Sequence, residues 1–231
     1  MLQIKALEAG YGESLVVRDT NITVEPGQIV CLMGRNGVGK TTLMKSIMGL
    51  LRPKSGTITY KGENITTSPP DFKAKKGIGY VPQGRDIFPQ LSVEENLLLG
   101  LEAASGRIKS IPDTIFDAFP MLKQMLHRKG GELSGGQQQQ LAIARALAPG
   151  PSLLLLDEPM EGIQPSIVME IEAIIEEIKS KREIAVLLIE QSLEFATSIA
   201  DYTYLMDKGT IVASGAADSL SEDQVREHLI I

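Results

Sequence analysis

Gly34-Arg35-Asn36-Gly37-Val38-Gly39-Lys40-Thr41 is the stretch on which the fold turns. It fits the spacing G-x-x-x-x-G-K-S/T, and Thr42 continues it into a helical stretch that ends near Gly49. Just before it, Ile29-Val30-Cys31-Leu32-Met33 is an unbroken apolar run, the mark of a strand buried on both faces. Strand, glycine-rich loop and helix together predict a cradle for phosphate rather than a structural turn. Backbone N–H groups must point inward at phosphate oxygens, which excludes a Cβ where the loop curls. The helix adds the positive end of its dipole. In such a cradle Lys40 reaches the β- and γ-phosphates of a nucleotide and Thr41 can ligate Mg²⁺.

Working outward, residues 2–8, 15–24 and 57–60 read as short strands, punctuated at Tyr11-Gly12, Glu25-Pro26-Gly27 and Lys61-Gly62. A strand at Ile78 to Val81 is halted by Pro82. Residues 85–150 have helical spacing broken by Gly106, Pro112 and Pro120, and predict a helical insertion. Leu153 to Leu156 returns to buried strand. Residues 166–180 form an amphipathic helix with Ile167, Val168, Ile171, Ile174, Ile175 and Ile178 on one face. A strand at 184–189, a hairpin near 202–212 and a polar helical tail at 216–231 complete the pattern. Gln137 to Gln140 reads as a polar helix face after its first member. The alternation predicts one α/β domain over 1–231. It is a P-loop NTPase (RecA-like) parallel-sheet core with an N-terminal antiparallel β subdomain and a helical insertion.

Composition narrows the function. The 231 residues are 43% hydrophobic and 23% charged, enough for one large core. The formal net charge of -6 excludes a broad basic surface for nucleic acid. One cysteine, Cys31, builds neither a disulfide framework nor a thiolate metal site. The opening Met1-Leu2-Gln3-Ile4-Lys5 has no basic region followed by an apolar one, and no apolar run approaches a membrane span. Any membrane process would draw its spans from other chains.

Leu153-Leu154-Leu155-Leu156-Asp157-Glu158 is an apolar strand ending in two carboxylates. Asp157 is placed to hold Mg²⁺ through water, and Glu158 to polarise an attacking water. Leu133-Ser134-Gly135-Gly136-Gln137 precedes an apolar helical run and forms a second terminus suited to an anion. One nucleotide does not easily occupy two such termini in one domain. Two chains meeting head-to-tail satisfy both, each presenting its Ser134 segment to the γ-phosphate on the other.

Together with Gln83 in Tyr80-Val81-Pro82-Gln83 and with Leu156-Asp157-Glu158-Pro159, these motifs resemble the nucleotide-binding domains of ABC transporters over nearly the whole chain. The resemblance implies ATP hydrolysis with Mg²⁺, Tyr11 stacking on adenine, and Gln83 touching Mg²⁺ and the attacking water. It implies Ser134, Gly136 and Gln137 acting in trans. It also implies polytopic permease subunits, a second ATPase subunit and, indirectly, a solute-binding protein, at the cytoplasmic face of the cell membrane. Gly34 to Lys40, Pro82-Gln83-Gly84-Arg85 and Glu161-Gly162-Ile163-Gln164-Pro165 look like the branched-chain amino acid and urea importer branch, most of all its urea-type ATPase.

Two positions depart from the family. Ile189-Glu190-Gln191-Ser192 puts Gln191 where a histidine usually contacts the γ-phosphate, and Gln164 replaces a usual Asp. A glutamine donates a hydrogen bond but carries no proton on and off. Lys40, Asp157 and Glu158 are intact, so the departures point not to a dead enzyme but to a pair with a non-identical ATPase that keeps the histidine, the competing reading being a homodimer in which Gln191 suffices. A soluble ABC-type ATPase acting on DNA or the ribosome would want basic surface and long coiled-coil insertions. A GTPase would want Asn-Lys-x-Asp, which the chain lacks.

Overall fold

The computed structural model describes residues 1–217 and Ser219. In chain order, β1 (Leu2–Ala9), β2 (Val17–Val24) and β3 (Ile29–Met33) lead into helix α1 (Lys40–Met48). β4 (Ser55–Tyr60), β5 (Glu63–Asn64) and α2 (Pro70–Lys75) precede β6 (Ile78–Val81). Helices α3 (Val93–Gly100), α4 (Asp113–Ala118), α5 (Pro120–Gln124) and α6 (Gly135–Leu147) separate β6 from β7 (Leu153–Asp157). Then come α7 (Pro165–Lys181), β8 (Ala185–Ile189), α8 (Leu193–Ile199) and the hairpin β9 (Tyr202–Asp207) and β10 (Thr210–Ala216).

Two sheets result. A four-stranded antiparallel sheet runs β2-β1-β4-β5, and a six-stranded sheet runs β10-β9-β3-β8-β7-β6. In the second, β3, β6, β7, β8 and β9 are parallel and only β10 is antiparallel. The apolar runs explain why. β3, β7 and β8 are buried at every residue, so both faces need cover. Leu154, Leu156, Val186 and Leu188 pack with α6 and α7 through Leu141, Ile171 and Ile175. Val30, Leu32, Leu155 and Leu187 pack with α1 through Leu43, Met44 and Ile47. Full burial of one such side chain contributes about 1.5–3 kcal/mol. Register then fixes the site: Ile189 pairs with both Leu32 and Asp157, so β3, β7 and β8 end at one level. Ligands of open parallel sheets bind at these carboxyl ends.

Several local expectations are corrected. β2 starts at Val17, not at 15, because the chain first turns, with the Ser14 N–H donating to the Tyr11 carbonyl at 2.9 Å. β5, α2 and α8 were not anticipated. The segment between β6 and β7 carries α3 to α6 and two 3-10 turns, Leu101–Ala104 and Gly130–Glu132, with Pro112 capping α4 and Pro120 opening α5, each lacking the N–H that a continuous helix needs. Gln139 and Gln140 are buried instead of forming a polar face, and the Gln140 amide donates to the Glu170 carboxylate. The expected helical tail at 216–231 begins with β10, which runs to Ala216, and otherwise lies almost wholly outside the described residues. Among the described residues no helix is long and apolar enough to cross a membrane.

Candidate nucleotide site

The loop from Gly34 to Gly39 leaves β3 and enters α1. At Gly34 φ is 153°, and a Cβ there would stand 2.4 Å from the Met206 carbonyl oxygen, so only glycine fits against β9. Gly39 caps α1 with φ 117° and no side-chain hydrogen bond. The first-turn donors of α1 therefore lack a side-chain cap. Lys40 is 4% exposed; its Nζ donates to the carbonyls of Gly34 (2.7 Å) and Arg35 (2.9 Å) and lies 3.5 Å from Glu158 Oε1. The buried cation is thus held by its own loop and by the carboxylate opposite.

The carboxylates arrive on β7. Asp157 is 1% exposed and accepts the Thr41 hydroxyl at 3.2 Å. Burial pushes its carboxyl up to about 6; the Thr41 hydrogen bond opposes this, and the charge on Glu158 adds to it. Asp157 Oδ2 is buried without a well-formed hydrogen bond. Such an acceptor, beside a threonine hydroxyl, suits a hard cation. No group of three or more His, Cys, Asp or Glu gathers among the described residues. Mg²⁺ takes one or two carboxylates and completes its shell with phosphate and water oxygens. Thr41, Asp157 and Gln83 are the residues able to hold it.

Glu158 sits in the left-handed region at φ 51°, which turns the chain sharply after β7. Two amides meet its carboxylate. Gln83 Nε2 donates to Oε2 at 3.0 Å, and Gln191 Nε2 donates to Oε1 at 2.9 Å and to Asn36 Oδ1 at 2.8 Å. Oε1 also faces the Lys40 ammonium, whereas Oε2 keeps a lone pair for a water proton.

These groups surround a cavity of about 230 Å³ lined by Asn36, Gly37, Gly39, Lys40, Thr41, Thr42, Gln83 and Glu158. A second, of about 650 Å³, shares Asn36 and Gly37 with the first and is lined also by Arg35, Val38, Gln191 and Lys208. Tyr11 is exposed in the turn after β1 and lines neither, whereas Val16 lines the first. Ser134, Gly135, Gly136 and Gln137 also line neither. They start α6, where the Ser134 hydroxyl accepts the Gln137 N–H (3.3 Å) and Gln137 Oε1 accepts the Ser134 N–H (2.9 Å). Three participants escaped the sequence: Val16, Glu161, whose Oε2 accepts the Gln83 amide at 2.7 Å, and Glu190, which accepts the N–H groups of Gln191 (2.7 Å) and Ser192 (3.2 Å). Glu161 and Glu190 lie in segments that stand out in the sequence, Glu161 to Pro165 and Ile189 to Ser192, whereas Val16 carried no signal.

A glycine loop on a buried parallel strand, with a lysine and two strand-end carboxylates behind it, defines a P-loop nucleotide-binding protein. Residues 17–161 match the ABC transporter family. The chain is 38% identical to the high-affinity branched-chain amino acid transport ATP-binding protein BraG of Pseudomonas aeruginosa, covering 98% of each. It is 37% identical to the probable branched-chain amino acid transport ATP-binding protein LivF of Archaeoglobus fulgidus, over 99% of this chain and 98% of that one. A solved structure of an ATP-binding subunit of an ABC transporter superposes with a TM-score of 0.87 at 27% identity, covering 100% of both chains. The chain belongs to the ABC transporter family, as an ATP-binding subunit that hydrolyses ATP.

Proposed function

We propose that this chain powers an importer of a small polar solute, branched-chain amino acids first, from the cytoplasmic face of the cell membrane beneath polytopic permease subunits. One observation carries the reading. Lys40, Thr41, Asp157, Glu158, Gln83 and Gln191 converge on one corner, while the Ser134 terminus lies outside both cavities there. A chain with one nucleotide corner and one spare anion-favouring terminus fits a head-to-tail pair. Each Ser134-Gly135-Gly136-Gln137 segment then faces the ATP on the other chain's loop.

When ATP enters, Lys40 exchanges the carbonyls of Gly34 and Arg35 for β- and γ-phosphate oxygens. The exposed Tyr11 ring is available to stack on adenine. Mg²⁺ at Thr41, Asp157 and Gln83 would neutralise charge on the phosphate oxygens. Glu158 takes a proton from water as the water oxygen attacks the γ-phosphorus. The bond to the β-γ bridging oxygen breaks, leaving ADP and phosphate. Lys40 stabilises the charge that develops, and Gln191 and Gln83 hold the Glu158 carboxylate in place. Gln83 stands at the root of the helical segment between β6 and β7, so pairing and release are passed to the permease through it.

The two relatives are named as ATP-binding proteins of branched-chain amino acid transport, one as a probable one, which supports that solute class. Urea is the second reading, favoured by the segments Gly34 to Lys40, Pro82 to Arg85 and Glu161 to Pro165. Gln191 favours a non-identical ATPase partner, and a solute-binding protein joins indirectly. Purification from native membranes in mild detergent, followed by reconstitution into vesicles, tests the reading. Co-purified polytopic proteins, a second ATPase with the histidine, and ATP-driven leucine uptake support it. Urea uptake moves the assignment to the second reading, and recovery of the chain alone overturns it.

A further inference from the structure

Gln83 lies between two carboxylates, and only one of them, Glu158, belongs to the reaction proposed above. Its Nε2 donates to Glu158 Oε2 at 3.0 Å and to Glu161 Oε2 at 2.7 Å. An amide nitrogen has two protons, so both are engaged. Among the described residues Gln83 Oε1 accepts no hydrogen bond, and Gln83 lines the nucleotide cavity. The turn makes this possible. Glu158 is left-handed, and the Glu161 N–H donates to the Glu158 carbonyl at 3.2 Å, so the two carboxylates flank the same amide.

The orientation matters because the two ends of a glutamine amide have opposite chemistry. Oxygen can ligate a hard cation; the NH₂ group cannot. An amide held by Glu158 alone satisfies one proton, and rotating it half a turn costs that single bond. A second carboxylate on the other proton makes the rotated state place an oxygen against two negative charges.

We infer that Glu161 is a positioning residue: by taking the second Gln83 proton it fixes the amide so that Oε1, and not Nε2, is offered to the nucleotide's divalent cation. This rests on the reading of Gln83 as a metal-facing residue. Glu161 is exposed and touches neither nucleotide loop nor cavity, so its effect passes through Gln83. Outer partners of metal ligands typically contribute about 10–100-fold in metal affinity.

The test is equilibrium binding of ATP to the full chain, by fluorescence of a nucleotide analogue, titrated with Mg²⁺ and repeated in EDTA. Glu161→Ala is expected to raise the Mg²⁺ concentration for half-maximal binding by about 10-fold, with binding in EDTA at the parent level. Glu161→Gln, whose own amide oxygen can accept the same proton, is expected to fall between the two. Gln83→Ala serves as the reference. If Gln83→Ala shifts the Mg²⁺ requirement and Glu161→Ala does not, the positioning role is overturned while the metal-facing role of Gln83 stands. If neither shifts it, both are overturned. A Glu161→Ala loss that is equal with and without Mg²⁺ is a general structural effect and also overturns the inference.

Discussion

Helices α1 and α6 begin alike in sequence and differently in structure. Each follows a loop of small residues, and each terminus favours an anion. α1 starts after Gly39 with no side-chain cap, so its first-turn donors are left to a ligand, while the buried Lys40 is held meanwhile by the carbonyls of Gly34 and Arg35. α6 starts with a complete capping box, Ser134 and Gln137 satisfying one another's backbone. That box uses the Gln137 N–H and leaves the donors of Gly135 and Gly136. One terminus is thus a site within a single chain. The other is capped upon itself and, in the proposed pair, offers a neighbour the N–H groups of Gly135 and Gly136 and the Ser134 hydroxyl proton.

The contrast can be broken most forcefully at the α1 corner. Glu158→Gln is expected to cut ATP hydrolysis by about 10²–10⁴ while leaving ATP binding, read as phosphate release against nucleotide titration. A normal rate would remove the chemical half of the comparison. Next in size is stabilisation by ligand. ATP at a hundred times its dissociation constant should add about 2.7 kcal/mol to unfolding, measured on the dilute chain. Lys40→Ala should lose most of this gain and Ser134→Ala none of it; equal losses would mean both termini serve one chain. A smaller effect is expected from Ser134→Ala on the unliganded fold, about 1 kcal/mol in a guanidinium melt, because the cap of α6 is its own. Its hydrolysis should fall only at concentrations where chains pair. The smallest concerns Gln191→His. In the partner complex it should alter turnover and add a pH dependence near the usual imidazole value of about 6.5, which the amide cannot show. Unchanged turnover would remove Gln191 from any rate-limiting role.

The legible parts of the molecule are those written in local chemistry. β6 falls where its apolar run and Pro82 put it, and α7 extends one residue beyond the expected amphipathic stretch at either end. The loop from Gly34 to Thr42, Asp157 and Glu158 follow from a buried strand ending in polar residues. Tertiary contacts were not legible. The Gln83 amide reaches Glu161, 78 positions away, because β6 pairs with β7 as far as Val81 and Leu156, and Gln191 reaches Asn36, 155 away, because β3 and β8 end level. The burial of Gln140 likewise depends on Glu170 of α7, which helical spacing alone does not reveal. Short helices were blurred for a different reason: α4 and α5 have six and five residues, too few for a period to repeat.

Cys31 lies in the middle of β3 and is fully buried. Burial, then the nearby Glu190 carboxylate, pushes its thiol far above the ordinary range. A thiol kept protonated and out of solvent does not react with maleimides or other thiolate-seeking reagents. The native chain is therefore a silent background for site-directed labelling, and no cysteine need be removed first. A Ser134→Cys variant carrying a fluorophore could report the approach of a second chain at α6 without a competing signal from within the sheet.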